Sequence, residues 1–165
     1  MAFQLTKTQK MVQALAKEFA DKELAPIAAE MDKNERMEPA ILEKLGKMGF
    51  MGIGVPKEYG GAGFGMMEKS LMVTELARQC ASTAEVMSVH TMAITGIIKY
   101  GTPEQKEKYL TSSAKGWIAG FALTEPNAGS DAANVQTTAV LDGDEYVING
   151  SKCFISNMGP TEGDF

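Results

Sequence analysis

The hydrophobic period of this chain changes once, at Lys115-Gly116, from the three-to-four spacing of helices to the alternation of strands. That change limits the fold to a helical unit followed by an antiparallel β unit. Before it, the punctuation is helical. Thr6 and Gln9 have capping-box spacing, and Met11, Leu15, Phe19, Leu24, Ile27 and Met31 continue as one long amphipathic helix that Pro26 should kink. Pro39 opens a second helix carrying Ile41, Leu42, Leu45 and Met48 on one side, with Gly49 placed as its left-handed terminator. Gly52 to Gly63 is too rich in Gly and Pro for a helix and reads as an ordered loop. A third helix covers roughly Met67 to Cys80. Ser82 is placed to cap a fourth running to Lys99, with no Asp, Glu, Lys or Arg between Val86 and Ile98, which predicts burial on all sides. Thr102-Pro103-Glu104-Gln105 then gives a fifth helix its cap, its first-turn proline and its capping-box partner.

After Gly116 the apolar run Trp117 to Leu123 has strand length, and Val135 to Leu141 alternates with polar residues. Asp142-Gly143 is a hairpin signal of the type I′ kind, leading into Tyr146-Val147-Ile148; Asn149-Gly150 turns again before a strand over Lys152 to Ser156. The expected fold is mainly α, an N-terminal helical bundle over residues 1–116 followed by the first antiparallel strands of an incomplete β-domain over 117–165. About four strands without a closing strand or covering helix imply that the β-domain continues beyond Phe165.

Composition excludes several functions. With 44% hydrophobic residues among 165, the chain can bury a core, and its net charge of −5 gives nucleic acid or an anionic membrane little to attract. The apolar fourth helix is too short for a membrane span of about 20 residues. No charged stretch followed by an apolar one opens the chain, so Met1-Ala2-Phe3-Gln4 reads as a native cytoplasmic start. Cys80 and Cys153 lack CxxC pairing and read as reduced, space-filling thiols. There is no P-loop, no GxGxxG after a strand and no metal-ligand spacing. His90, alone on an apolar helix, reads as a packed, hydrogen-bonded residue, and the 12 methionines read mostly as core filler that can also adapt to an acyl tail.

The candidate chemistry lies in Phe121-Ala122-Leu123-Thr124-Glu125-Pro126-Asn127-Ala128-Gly129-Ser130-Asp131. By residue type alone it is either a surface turn, every residue of Thr124 to Asp131 being a common turn former, or a ligand cradle. As a cradle, Phe121 and Leu123 line an apolar slot, and Thr124 presents a hydroxyl and an N–H at its mouth. Ala128, Gly129 and Ser130 let backbone approach a ligand, with Ser130 able to donate to a phosphate or carbonyl. Phe154-Ile155-Ser156 supplies a second aromatic and a second hydroxyl. A flavin ring needs both an apolar wall and donors aimed at its pyrimidine edge.

These residues resemble the acyl-CoA dehydrogenases across nearly the whole chain. The resemblance rests on Val55-Pro56-Lys57-Glu58-Tyr59-Gly60-Gly61-Ala62-Gly63, Glu75-Leu76-Ala77, Ser88-Val89-His90 and Tyr100-Gly101-Thr102-Pro103-Glu104-Gln105-Lys106, then Phe121 to Asp131 and Asn149-Gly150-Ser151-Lys152, in the family's order. It implies an FAD enzyme with helical, β and helical domains, assembled as a homotetramer and passing electrons to an electron-transferring flavoprotein. The positions implied to contact the flavin are Phe121, Ala122, Leu123, Thr124, Gly129 and Ser130, with Phe154, Ile155 and Ser156 in place of the family's more usual Trp-Ile-Thr. Ser130 is also implied to touch the acyl-CoA thioester, and Ala84, Ser88 and Met92 to line the acyl pocket. The resemblance implies α,β-dehydrogenation with a Glu base located beyond Phe165, so that the 165 residues alone are expected to be inactive. An acyl-CoA oxidase or a reductase-direction member is a related reading. A non-enzymatic helical interaction module with a vestigial flavin loop is the alternative from another class.

Overall fold

The computed structural model describes residues 4–157. The first helix, α1 (Lys7–Phe19), starts at the expected capping box: Thr6 Oγ1 accepts the Gln9 N–H at 3.2 Å and Gln9 Oε1 accepts the Thr6 N–H at 3.0 Å. The helix does not run straight to Met31. It widens into a π-turn over Ala20–Leu24, closed by the Ala25 N–H on the Ala20 carbonyl at 2.9 Å, and resumes as α2 (Ala28–Lys33). Pro26 lacks an N–H and its ring crowds the preceding turn, so the kink falls where the sequence places it. The helix α3 (Pro39–Lys47) begins on its proline and ends in a Schellman motif, Gly49 at φ 76° donating to Gly46 and Phe50 donating to Leu45 at 3.0 Å.

The Gly-rich segment after α3 folds back on itself. Ala62, Gly63 and Phe64 donate to the carbonyls of Gly52, Val55 and Ile53 at 2.8–3.0 Å, an ordered loop as expected. Beyond it lie α4 (Met66–Ala77), α5 (Ala81–Tyr100) and α6 (Pro103–Ala114), the last with its full capping box at Thr102 and Gln105. The main core gathers Val12, Ala16, Phe19, Leu24, Leu45, Met51, Met72, Leu76 and Met87 from α1 to α5, with the Phe19 and Phe50 rings edge to face at 5.8 Å. A smaller cluster of Val55, Ile94 and Leu110 joins α5 and α6 to the glycine-rich loop.

Two helical expectations are corrected. The cap of α5 is Cys80, in an extended conformation, and not Ser82. The Cys80 N–H still bonds the Leu76 carbonyl at 2.9 Å, so the break between helices falls before Ser82, which lies inside the first turn. Nor is α5 covered all round. Thr83, Ala84, Met87, Val89, His90 and Ile94 are buried, whereas Glu85, Ser88, Met92 and Gly96, at three- and four-residue steps, form an exposed stripe. The methionines divide likewise: Met51, Met72 and Met87 are core residues, while Met66, Met67 and Met92 are exposed.

After α6 the described sheet is one hairpin, β1 (Thr138–Asp142) paired antiparallel with β2 (Glu145–Asn149). Asp142 pairs with Glu145, so the loop is Gly143-Asp144 rather than Asp142-Gly143. Only Gly143 has positive φ, at 66°, which suits a type II′ turn with glycine first and not type I′. All ten hairpin residues are exposed. The expected strands Trp117 to Leu123 and Lys152 to Ser156 do not form ladders. Ala119 spends its backbone groups on side chains, its N–H on His90 and its carbonyl on Asn157, and positive φ at Phe154 (57°) and Asn157 (65°) breaks the other run.

Candidate functional site

The segment 117–124 follows α6 outside any helix or strand and is held from both sides. On the helical side, His90 of α5 accepts the Ala119 N–H at Nδ1, 3.0 Å away, and its Nε2–H donates to the Met51 carbonyl at 2.8 Å. These partners fix the neutral Nε2–H tautomer. Burial pushes His90 below the usual imidazole range, opposed by the Met51 carbonyl and reinforced by the charge of Lys69. Asn157 Nδ2 donates to the carbonyls of Val86 and Ala119, both at 3.1 Å. His90 is thus the packed, hydrogen-bonded residue that its sequence context implies.

On the β side, the Cys153 N–H donates to the Thr124 carbonyl at 3.0 Å, placing the two candidate segments next to each other. Lys152 Nζ reaches across to the Leu123 carbonyl at 2.9 Å and to Glu125 Oε1 at 2.7 Å. Glu125 is buried, and its carboxylate also accepts the N–H groups of Gln136 at 2.7 Å and Thr137 at 3.0 Å. The Lys152 ammonium, with these N–H groups, holds the Glu125 carboxyl down at about 2. So weak a base, with both oxygens engaged, cannot remove a carbon-bound proton. Sequence reading missed Lys152 and Asn157 as site residues, because each acts on partners far away in the chain. The one available signal was an acid inside the first candidate segment and a lysine just before the second.

The remaining predicted residues are placed as follows. Phe121, Ala122 and Leu123 are exposed, Thr124 is half-buried, and Gly129 and Ser130 are exposed beyond a tight turn in which Glu125 and Ala128 exchange backbone hydrogen bonds at 3.0 and 3.1 Å. Ile155 and Ser156 are half-buried beside the first segment, while Phe154 is 93% exposed. On α5, Ser88 and Met92 lie on the exposed stripe and Ala84 belongs to the core cluster.

This arrangement suits an acceptor-rich planar ring. The carbonyls of Leu123 and Thr124 are both taken, whereas the N–H groups of Ala122, Leu123, Thr124, Gly129 and Ser130 have no partner among the described residues. The free backbone groups at Leu123 and Thr124 are therefore donors, set beside the exposed apolar side chains of Phe121 and Leu123, each 39% exposed. A flavin asks for this pairing of donors with an apolar wall.

Comparison with known proteins gives the same direction. The model of the acyl-CoA dehydrogenase N-terminal domain matches residues 6–117, and that of the acyl-CoA dehydrogenase middle domain matches 120–161. The chain is 49% identical over 162 residues to the acryloyl-CoA reductase (NADH) of Anaerotignum propionicum, covering 96% of this chain and 41% of that protein. It is 48% identical over 161 residues to the short-chain specific acyl-CoA dehydrogenase of Clostridium acetobutylicum, covering 96% and 42%. Among solved structures it superposes with a TM-score of 0.89 and 45% identity on a chain of "Electron transferring flavoprotein of Acidaminococcus fermentans: Towards a mechanism of flavin-based electron bifurcation", covering 94% of this chain and 41% of that one. The chain thus spans about two fifths of the length of the relatives it matches.

Proposed function

Since this chain belongs to the acyl-CoA dehydrogenase family, we propose that it supplies the helical domain, to about residue 116, and the opening β segment of an FAD enzyme acting on the α,β bond of an acyl-CoA thioester. The observation that carries the flavin reading is the pair of backbone N–H donors at Leu123 and Thr124, unpaired among the described residues while both carbonyls are engaged, beside the exposed Phe121 and Leu123. In this reading Phe121 to Thr124 would hold the ring, with Gly129 and Ser130 nearby and Phe154, Ile155 and Ser156 along the adjoining segment. FAD, when bound, supplies the acceptor for the hydride from the β-carbon. Ser88 and Met92 on the open stripe of α5 would meet the acyl chain, and Ser130 the thioester. Ala84 would shape that wall from behind. Glu125 holds backbone and moves no proton, so the base that takes the α-proton comes from another part of the protein.

We further propose a cytoplasmic homotetramer with an electron-transferring flavoprotein as its acceptor, a partner class suggested by the structural relative from Acidaminococcus fermentans. The reductase direction is the second reading, favoured by the 49% identity to an acryloyl-CoA reductase (NADH).

The test is flavin uptake by the purified whole enzyme of which this chain would form part, followed by addition of a short saturated acyl-CoA, with light scattering for the assembly. Bleaching of bound flavin by the thioester supports the dehydrogenase. Reoxidation of NADH by an unsaturated thioester supports the reductase. A colourless protein that takes up no FAD would leave the helical interaction module as the better account.

A further inference from the structure

Glu125 and Lys152 form more than a surface ion pair. Glu125 is 6% exposed, and its two oxygens gather three donors from two other stretches of chain, the N–H groups of Gln136 and Thr137 and the ammonium of Lys152. Lys152 uses a second hydrogen to bind the Leu123 carbonyl, and the next peptide along repeats the arrangement, Cys153 N–H on the Thr124 carbonyl. The outcome is a change in the hydrogen-bonding character of the segment. With both carbonyls turned to the lysine segment, the backbone groups that Leu123 and Thr124 leave unpaired among the described residues are N–H donors alone. Were Lys152 absent, the Leu123 carbonyl would lose its partner and Glu125 would lose its cationic one, freeing the segment to rotate an acceptor toward the ligand side.

We propose that Lys152 is a positioning residue that, anchored by Glu125, withdraws the Leu123 carbonyl so that the backbone of Leu123 and Thr124 offers only donors to the pyrimidine edge of the flavin. This rests on the reading of Phe121 to Thr124 as the flavin-facing segment. Lys152 itself touches neither ring nor substrate in this account; it acts through the Leu123 peptide and through Glu125.

The experiment, on the whole enzyme of which this chain would form part, compares FAD binding, by quenching of flavin fluorescence, in the unaltered protein, Lys152→Met and Lys152→Arg, together with the visible absorption envelope of each bound flavin and the far-ultraviolet helical signal. Loss of a charge-assisted hydrogen bond predicts at least about tenfold weaker FAD binding in Lys152→Met. It also predicts an altered flavin envelope, unchanged helical content, and at least partial recovery in Lys152→Arg, which keeps a cation and its donors. A second variant, Glu125→Gln, keeps acceptor capacity but not charge and is expected to fall between Lys152→Met and the unaltered protein. Equal affinity and an unchanged envelope in Lys152→Met overturn the positioning role while leaving the flavin reading intact. Equal loss in the Arg and Met variants, with reduced helical content, also overturns it, because the pair would then serve folding alone. Failure of the unaltered protein to bind FAD overturns both.

Discussion

The N–H of Ala119 donates to Nδ1 of His90 at 3.0 Å, a hydrogen bond between an irregular segment and a buried side chain of α5 where a sheet would use a neighbouring strand. Asn157 completes the exchange at the Ala119 carbonyl. The segment that leads into the candidate flavin site is therefore registered against the helical domain by two side chains, and its position depends on the protonation of His90 and the geometry of both.

The first prediction concerns His90. Its folded value is depressed below 6.5, so its contribution to stability is fully present above that pH and is lost as pH falls through the lowered value. Thermal midpoints measured at about pH 8 and about pH 5.5 should drop for the native chain. The drop should shrink in His90→Asn, which lacks the titrating ring and should be less stable at the higher pH.

Glu125 gives a different window. Its carboxyl is lowered from 4.5 to about 2, so the loop it organises keeps that support above pH 4.5 and loses it as pH falls toward 2. Hydrogen exchange should show the Gln136 and Thr137 amides protected down to that window and then released together. Release already near neutral pH would contradict the geometry.

Two glycines of the same loop should differ in what an added methyl group costs. A Cβ at Gly61 would collide with the carbonyls of Val55 and Gly52, the latter at 2.7 Å, and these accept the hydrogen bonds that fold the loop back. Gly61→Ala should cost about 2 kcal/mol or more, read from urea midpoints at constant m-value. A Cβ at Gly54 meets only the flexible end of Lys69, and Gly54→Ala should cost under about 1 kcal/mol.

Asn157 combines a left-handed backbone, φ 65°, with two side-chain hydrogen bonds. Asn157→Gly relieves the backbone and loses only the bonds, about 1–2 kcal/mol, whereas Asn157→Ala should cost about 1 kcal/mol more. Chemical denaturation of the two variants in parallel separates the contributions.

The helical half was legible because its signals are local. Thr6, Pro39, Gly49 and Thr102 each act within one turn, and their caps form where the spacing places them. The exception, Ser82, lost to Cys80 because the end of the preceding helix, a contact with Leu76, decided where the chain could turn. In the β half the determinants are distant. Nothing local to Trp117 to Leu123 reveals that His90 and Asn157 will occupy the backbone of Ala119, and the apolar pattern was read as a ladder. Within the candidate segment, Thr124 to Asp131 holds the turn that its residue types allow, whereas the strand expected to lead into it does not form. What was hidden was the role of Glu125, whose partners lie as much as 27 residues away.

The wide turn at Ala20–Leu24 has a geometric meaning for the helix that contains it. Val12, Ala16, Ala20 and Leu24 are all buried, yet a strict four-residue repeat on an ordinary helix advances about 40° per step and would carry Leu24 well off the face that Val12 occupies. A turn with more residues per revolution rewinds that drift, as a phase correction. Deleting one residue from Ala20–Leu24 would give a more regular helix with better local hydrogen bonds. It would also rotate Leu24, Ile27 and Met31 together away from the core, so the irregular turn is what lets one continuous chain keep facing inward on both sides of its own bend.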